Sequence, residues 1–423
     1  MKNQKEFLSF LDKSPVNFFA IKNAEEILLQ AGYKEIKENQ KVSLKDGDKV
    51  YFKRVDLTLI ALNIGKEVKG ENLSYNIIAS HVDSPCYKLK PVFENKSDEY
   101  RKINVEPYGG MIISSWLDRP LSIAGRLSYI DKEKHIQNVL INIDKDLLMM
   151  TNLCIHFNRD INNGYNYNQQ VDAQPFYGCD IDEEQIMSLL AKEANLNVDD
   201  ILGHDLYVYN HEKAIVWGLN KEFVSSPRLD DLACVYTSLM AFVDSENPHK
   251  VNVLYLANNE EVGSMSSTGA DSDFFMTTLE KVSRALKGEL NESLASSFLI
   301  SADNAHALHP NHPEVYDATN KAYMNKGLVI KFNGQNRYTT DGESAALLIA
   351  MMKKHKLPYQ FFANRSDIRG GSTLGDILLT HLSLRSVDVG LAQLAMHSSY
   401  ETMGLKDIEN ALKVFQIFYK EGI

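Results

Sequence analysis

The chain has 423 residues, of which 44% are hydrophobic and 24% are charged. This composition is that of an ordinary globular protein, and it excludes a fibrous repeat and a chain that is disordered throughout. The length predicts two domains, or one large domain with an insertion. A formal net charge of −11 argues against nucleic acid or an anionic membrane as the main partner, because both need a basic surface.

The cysteines and the first residues bear on the cellular compartment. The four cysteines are scattered and form no CxxC pair, which is typical of reduced thiols in the cytoplasm. The opening MKNQKEFLSFLDKS has no apolar stretch of the kind found in signal peptides, and no later run is long enough for a membrane span. We therefore expect a soluble cytoplasmic protein.

The residue pattern of the first half of the chain changes twice. Apolar residues at helical spacing predict one or two amphipathic helices in the first forty residues. From Lys49 short β-rich runs follow, and one of them, LSYNIIASHVDSP, ends in polar residues. Residues 93–222 contain several β-like runs, a turn signal at Tyr108-Gly109-Gly110 and one helix-like stretch, DIDEEQIMSLLAKEANL. We interpret residues 93–222 as an inserted β-rich domain.

After Val224 strand and helix patterns alternate. Helical patterns cover LDDLACVYTSLMAFVDS, SAALLIAMMKKH and the chain from Asp407, and strand-like runs lie between them. Such alternation is typical of a mixed, largely parallel central sheet flanked by helices on both faces. We therefore predict an α/β domain formed by residues 1–92 and 223–423.

Three apolar runs end shortly before side chains that can bind metal ions. NIIAS precedes His81 and Asp83, VLYLA precedes Glu260 and Glu261, and FLISA precedes Asp303. Ligands of open α/β sheets bind beyond the carboxyl ends of the strands, so we expect these side chains to meet at one edge. A carboxylate two residues after a histidine can support a metal-bound imidazole, and of two adjacent glutamates one can bind metal while the other moves protons. Each motif alone is also compatible with an ordinary polar turn.

Two further segments complete a possible metal site. Asp230 and Asp231 lie at a helix start, where an acid can cap the helix or, alternatively, one carboxylate can bridge two metal ions. His397 follows the apolar stretch GLAQLAM, and residues 303–312 hold three of the twelve histidines beside an acid. Two histidines, three carboxylates with one bridge and an unligated glutamate match a dinuclear hydrolase site.

Seven ordered segments resemble the aspartyl aminopeptidase family of dinuclear zinc metallopeptidases, from about residue 10 to the C-terminus. They are SHVDSP, SSPRLDDL, NNEEVGS, SADNAHALHPNHPE, KFNGQNRY, RSDIRGGSTLG and AMHSSYE. The resemblance implies a zinc-exopeptidase-like catalytic domain at residues 1–92 and 223–423 and a dimerisation domain at 93–222. It also implies that the chain releases N-terminal residues from peptides.

The resemblance assigns roles by position. It implies two metal ions with five ligands, namely His81 and Asp303 for one ion, Glu261 and His397 for the other, and Asp230 as the bridge. Glu260 would be the general base, and Asp83 would orient His81. Two zinc ions are expected, although cobalt and manganese also suit mixed imidazole and carboxylate sites.

The substrate preference is implied by the resemblance as well. His306, Lys331 and Tyr338 match family residues near the substrate side chain and the tetrahedral intermediate. A lysine there would favour an acidic N-terminal residue, because a compact cation can pair with a carboxylate in a dry pocket. The alternatives are an ordinary exposed strand lysine at position 331 and a preference for neutral or hydrophobic N-terminal residues, which some relatives have.

Self-association is the last property that the resemblance implies. The segment CIHFNRDINNGYNYNQQ resembles the dimer-forming region of the family, in which His156 reaches towards a neighbouring subunit's active site. The expected assembly is a tetrahedral homo-oligomer of twelve subunits that encloses its active sites.

Two other functions fit parts of the pattern. One is a dinuclear amidohydrolase that acts on acylated amino acids or on carboxy-terminal residues. The other is a metal-binding scaffold without catalysis, whose oligomer serves assembly. The pair Glu260-Glu261 argues against the scaffold, because a structural site has no use for an unligated base.

Overall fold

The computed structural model describes residues 4–179 and 185–423. The α-helices of these residues are α1 (Gln4–Lys13), α2 (Asn17–Gln30), α3 (Gln169–Asp172), α4 (Ile186–Glu193), α5 (Leu229–Val243), α6 (Phe274–Ala285), α7 (Leu290–Ala295), α8 (Gly342–Lys354), α9 (Leu374–His381) and α10 (Leu405–Glu421). The strands are β1 (Lys34–Glu35), β2 (Lys49–Arg54), β3 (Thr58–Ile64), β4 (Tyr75–His81), β5 (Cys86–Ser97), β6 (Tyr100–Tyr108), β7 (Leu121–Ile130), β8 (Ile136–Asn142), β9 (Phe176–Gly178), β10 (Ile201–Asn210), β11 (Ile215–Trp217), β12 (Phe223–Ser226), β13 (Val251–Ala257), β14 (Phe298–Ala302), β15 (Ala305–His306), β16 (Leu328–Phe332), β17 (Tyr359–Ala363), β18 (Arg385–Gly390), β19 (Ala392–Leu394) and β20 (Glu401–Gly404).

The largest sheet has nine strands in the order β1-β2-β3-β13-β4-β14-β18-β16-β17. Its central strands β13, β4, β14 and β18 are parallel to one another, whereas β3 and β16 run antiparallel to the central strands that they pair with. The four central strands therefore end at the same edge of the sheet. The predicted mixed, largely parallel sheet is confirmed.

Helices cover both faces of this sheet because its central strands are buried on both sides. In β4, Ile78 packs into the core that holds α5 and α10, while the preceding Ile77 packs into the core that holds α6 and α9. Successive side chains of a strand point to opposite faces, so a strand between two helical layers needs apolar residues at nearly every position. Helix α10 packs against the sheet with an apolar side that includes Ile408, Ala411 and Phe415.

A second sheet of six antiparallel strands lies in the predicted insertion, in the order β8-β7-β10-β5-β6-β9. It has a core of its own, to which α4 contributes Ile186 and Leu190. The helix-like stretch that predicted α4 begins at residues 180–184, which lie outside the described residues, and the short α3 was not predicted. Strand β5 crosses the predicted boundary at residue 93, and the limits of the inserted domain stay a prediction.

A third sheet joins short strands in the order β11-β12-β20-β19-β15. These strands have two to four residues each, which is too short for a periodic pattern to reveal. The turn between β19 and β20 contains His397, and β15 contains His306. This small sheet therefore supports side chains at the edge where the central strands end.

Two features of the described residues concern membrane spans and disulfides. None of the helices in these residues is both long and apolar enough to cross a membrane. All four cysteines lie in the described part of the chain and are free thiols.

Candidate metal centre

Three neighbouring strand ends bring the predicted side chains together. His81 is the last residue of β4, Asp303 follows β14, and Glu260 and Glu261 begin a 3₁₀ turn shortly after β13. Because β4 pairs in parallel with both β13 and β14, these positions lie side by side at one edge of the sheet. The edge that the sequence predicted is the edge at which the acids and the histidine meet.

The candidate ligands form two groups that share Asp230. In the first group His81 Nε2 lies 3.5 Å from Asp230 Oδ1 and 3.7 Å from Asp303 Oδ1. In the second group His397 Nε2 lies 3.3 Å from Glu261 Oε2 and 3.7 Å from Asp230 Oδ2. Each oxygen of Asp230 thus faces a different group, which is the arrangement that a bridging carboxylate needs.

The backbone at the start of α5 explains how Asp230 reaches both groups. Asp230 and Asp231 belong to the first turn, but their φ and ψ angles are not helical. The residue at the cap position is Arg228, and no side chain caps the helix there. Asp231 Oδ2 instead accepts the backbone N–H of His81 at 3.3 Å. The capping role that the sequence left open for these two acids is therefore not the one they have.

Two observations test whether divalent metal ions fit these residues. Among the described residues, the buried oxygens Asp230 Oδ1 and Glu261 Oε1 have no hydrogen-bond partner, and an unpaired buried acceptor costs about 1–3 kcal/mol. Burial and the neighbouring Asp230 raise the pKa of Glu261 well above its ordinary value. A cation would satisfy the unpaired oxygens and relieve the repulsion, so the residues fit divalent metal ions.

The first group shows the same need for positive charge. Burial acts to lower the pKa of His81, but Asp230, Asp303 and Asp83 raise it well above its ordinary value. Without a metal ion, the positive charge between these carboxylates would come from a protonated His81. Zinc binds to mixed sets of imidazole and carboxylate ligands. The first group is such a set, and its carboxylates already favour a cation.

Asp83 supports the site differently from the way the sequence predicted. His81 Nδ1 lies 3.1 Å from the backbone oxygen of Asp83 and 3.7 Å from its carboxylate. The carboxylate of Asp83 accepts the backbone N–H groups of Glu260 at 3.2 Å and Glu261 at 3.1 Å, and the hydroxyl of Tyr108 at 2.8 Å. Asp83 therefore contacts His81 through its backbone and fixes the glutamate turn through its side chain.

Lys331 and Tyr338 lie beside the first group. Lys331 is 2% exposed, and its Nζ donates to the backbone oxygen of Asp303 at 2.9 Å and to the carboxylate at 3.3 Å. The ammonium lies 5.0 Å from the ring centroid of Tyr338. Lys331 is thus not an ordinary exposed strand lysine, and part of its charge is already used by Asp303. Burial opposes ionisation of Asp303, but Lys331 and His81 hold the pKa of Asp303 below its ordinary value.

The two remaining predicted residues lie in different surroundings. His306 is partly buried, and burial together with Lys331 lowers its pKa below the ordinary value for histidine. His156 is exposed in an irregular loop of the inserted segment. Sequence reasoning did not assign Tyr108 to the site. The turn signal at Tyr108 was visible in the sequence, but no local pattern linked Tyr108 to Asp83, which lies 25 residues away.

The turn after Tyr108 packs directly on the second group. Gly109 has φ +79°, and a Cβ added there would lie 3.1 Å from Glu261 Cβ. We expect Gly109→Ala to lower the free energy of unfolding by about 1–2 kcal/mol, because an L residue is strained in this conformation, and to weaken zinc binding by displacing Glu261. Gly110→Ala is the matched control, since a Cβ there meets no atom of the described part of the chain within 4 Å. Thermal unfolding and zinc titration of both variants measure the effect, and equal behaviour would contradict it.

Comparisons with known proteins identify the family of the chain. The model of the family described as aminopeptidase I zinc metalloprotease (M18) matches residues 10–419. A relative from Clostridium novyi (strain NT), named "Probable M18 family aminopeptidase 2", is 40% identical over 99% of this chain and 100% of its own length. A relative from Clostridium acetobutylicum with the same name is 40% identical over the same shares of both chains.

Solved structures also match this fold over nearly the whole chain. A chain of the cryo-EM structure of the Ape4 and Nbr1 complex matches with a TM-score of 0.94 at 32% identity, over 98% of this chain and 85% of that one. The mApe1 dodecamer of S. cerevisiae matches with a TM-score of 0.88 at 28% identity, over 99% of this chain and 96% of that one. The resemblance that the seven segments indicated is confirmed, and the chain belongs to the aminopeptidase I (M18) family of zinc metalloproteases.

Proposed function

We propose that the chain is an aminopeptidase that uses two zinc ions to release N-terminal residues from peptides. His81 and Asp303 would hold one ion, Glu261 and His397 the other, and Asp230 would bridge them. The observation that carries the proposal is the orientation of Asp230, whose Oδ1 faces His81 and whose Oδ2 faces His397. A single mononuclear site would not need both oxygens turned to separate histidines.

Zinc in such a site supplies a Lewis acid that polarises the peptide carbonyl and lowers the pKa of water. Glu260 then takes a proton from the attacking water and returns it to the leaving amine. Burial, together with Asp303, Asp83 and Asp230, raises the pKa of Glu260 to about 8 against the opposing effect of His81. This value holds without metal ions, and cations in the two ligand groups would lower the pKa again, so that Glu260 can accept a proton near neutral pH.

Asp83 and Tyr108 keep Glu260 in place during these transfers. The Asp83 carboxylate accepts the backbone N–H of Glu260, and the hydroxyl of Tyr108 both donates to Asp83 and accepts from the side chain of Asn259. The base therefore lies on a turn that is fixed by side chains from β6 and from the end of β4. In the proposed arrangement its carboxylate is not one of the five metal ligands, so Glu260 can move a proton without displacing a ligand.

A direct test compares a peptide that has a free N-terminal amine with its N-acetylated form, using protein of known zinc content. An aminopeptidase requires the free amine, so only the first peptide should be cleaved, and the purified protein should contain two zinc ions per chain. Cleavage of the acetylated peptide alone would instead identify an amidohydrolase. Full metal content without cleavage of any peptide would identify a scaffold.

For the side-chain preference we propose an acidic N-terminal residue, recognised through the positive charge of Lys331. The buried ammonium of Lys331 supports this, because it supplies a cation close to one metal group. The competing preference is for neutral or hydrophobic residues, and the pairing of Lys331 with Asp303 is the observation that favours it.

Lys331→Met separates these two preferences. If Lys331 recognises charge, kcat/KM for Asp and Glu substrates should fall at least tenfold more than kcat/KM for a Leu substrate; tenfold corresponds to about 1.4 kcal/mol. The ratio of kcat/KM for acidic substrates to kcat/KM for the Leu substrate is the quantity to compare, because losing the contact with Asp303 would lower both kcat/KM values together. Equal losses for all substrates would show that Lys331 acts only through Asp303.

Self-association into a large homo-oligomer, as a tetrahedral dodecamer, is part of the proposal. The exposed loop around His156 supports it, because Leu153, Ile155 and Phe157 are large apolar residues that are 54–81% exposed. Exposed apolar clusters of this kind mark protein contact surfaces. The mass of the purified protein by light scattering tests this part, and a monomer at working concentration would contradict it.

A further inference from the structure

A buried carboxylate outside both ligand groups connects them through the backbone. Glu401, in β20, is 2% exposed. Its Oε2 accepts the backbone N–H of Asp230 at 2.9 Å, and its Oε1 accepts the backbone N–H of His397 at 2.8 Å. One side chain thus holds the backbone of two candidate metal ligands that are far apart in the sequence.

Both contacted residues lie in irregular backbone. Asp230 lies in the non-helical first turn of α5, and His397 lies in the β19–β20 turn with φ +66°. Neither residue therefore has its position set by a regular helix or strand. An acceptor that binds both N–H groups fixes the distance between the two backbones, and with it the position of Asp230 Oδ2 relative to the His397 imidazole.

The first ligand group is held by other contacts. His81 ends β4 and contacts the backbone oxygen of Asp83, while Asp303 follows β14 and pairs with Lys331. Asp230 has a second anchor on this side, because Ser84 donates its hydroxyl to the backbone oxygen of Asp230 at 2.6 Å. Loss of the Glu401 contacts would therefore disturb the second group more than the first.

We propose that Glu401 is a positioning residue that holds Asp230 and His397 at the separation needed to bind the second metal ion. The inference rests on the proposed function, since it presupposes two ions. Glu401 would not touch either ion or the substrate. Groups that hold metal ligands in place typically change metal affinity or activity by about 10- to 100-fold when they are replaced.

The matched control is Asp407, a second buried carboxylate with the same local chemistry. Asp407 is 1% exposed and accepts the backbone N–H groups of Asn325 at 2.5 Å and Gly327 at 2.9 Å. It lies in α10, outside the groups that could bind metal. Glu401→Gln and Asp407→Asn each keep the side-chain size and remove one acceptor oxygen and the charge.

Zinc competition with a chelator, on the full-length protein, measures how many ions are bound and how tightly. We expect Glu401→Gln to retain one ion at wild-type affinity and to bind the other about 10- to 100-fold more weakly, with a lower kcat and little change in KM. Asp407→Asn should bind both ions as the wild type does, even if its melting temperature falls. Should Glu401→Gln fail to fold, Glu401→Asp keeps the charge, shortens the reach and should show the same selective loss.

The outcomes separate the inference from the function on which it rests. If the wild type binds two ions and Glu401→Gln binds both with unchanged affinity, the positioning role is wrong while the enzyme proposal stands. If Asp407→Asn weakens zinc binding as much as Glu401→Gln, the effect is general destabilisation and the inference is likewise overturned. A wild type that binds fewer than two ions would refute the dinuclear proposal itself.

Discussion

Glu260→Gln is expected to lower kcat by about 10²- to 10⁴-fold while the protein keeps its zinc, because the amide cannot take a proton from water. The side chain keeps its size, and the backbone N–H of residue 260 can still donate to Asp83, so the turn should remain in place. Zinc analysis and steady-state kinetics on the same preparation measure the two quantities. Turnover within a few-fold of the wild type would remove Glu260 as the base.

The neighbouring glutamate provides the control for this experiment. Glu261 lies 3.3 Å from His397 and has a buried oxygen without a partner, so Glu261→Gln should lose zinc as well as activity. The two variants change adjacent residues in the same chemical way. If both lost zinc equally, the assignment of one glutamate to the metal and the other to the proton would be contradicted.

Asp230→Asn is expected to lose both zinc ions and to lower kcat/KM by more than the roughly 100-fold that changes outside the ligand set cost. An asparagine offers one oxygen and an NH₂ group that cannot bind a cation, so it cannot serve His81 and His397 together. His397→Ala removes a ligand of one group alone and should lose a single ion. Zinc stoichiometry after gel filtration distinguishes the two variants.

Asp230→Asn should have the opposite effect on the metal-free protein. Without zinc, Asp230 repels the buried carboxylates of Glu261 and Glu401 and attracts the imidazole of His81, so removing its charge relieves two repulsions and loses one attraction. The melting temperature of the chelated variant should therefore equal or exceed that of the chelated wild type. A large loss of stability in the chelated variant would mean that Asp230 has a structural role that is independent of metal.

Much of the central sheet could be predicted from the sequence because its strands are buried on both faces. β4 and β13 are largely apolar runs, and candidate metal ligands lie at the end of β4 and a few residues after β13. Helices α5, α8 and α10 were visible for a similar reason, since their apolar spacing is a local property. The short strands of the third sheet had no such pattern and were missed.

The supporting contacts of the site could not be predicted in the same way. Asp83 was expected to orient His81 with its carboxylate, yet that carboxylate binds the turn of Glu260 and Glu261, which lies 177 residues away. Lys331 was placed near the substrate, and its pairing with Asp303 depends on how β16 lies in the sheet. Each of these contacts depends on the order of the strands in the sheet.

The sequence by itself determined the α/β class, the family and the chemical identity of the candidate ligands, because apolar periodicity and short motifs are written in consecutive residues. The tertiary structure alone decided how those residues meet. The two oxygens of Asp230 face different histidines, and Glu401 contacts Asp230 across 171 positions of the chain. Hydrogen bonds over such separations depend on the order of the strands and on irregular turns, and neither leaves a local signal in the sequence.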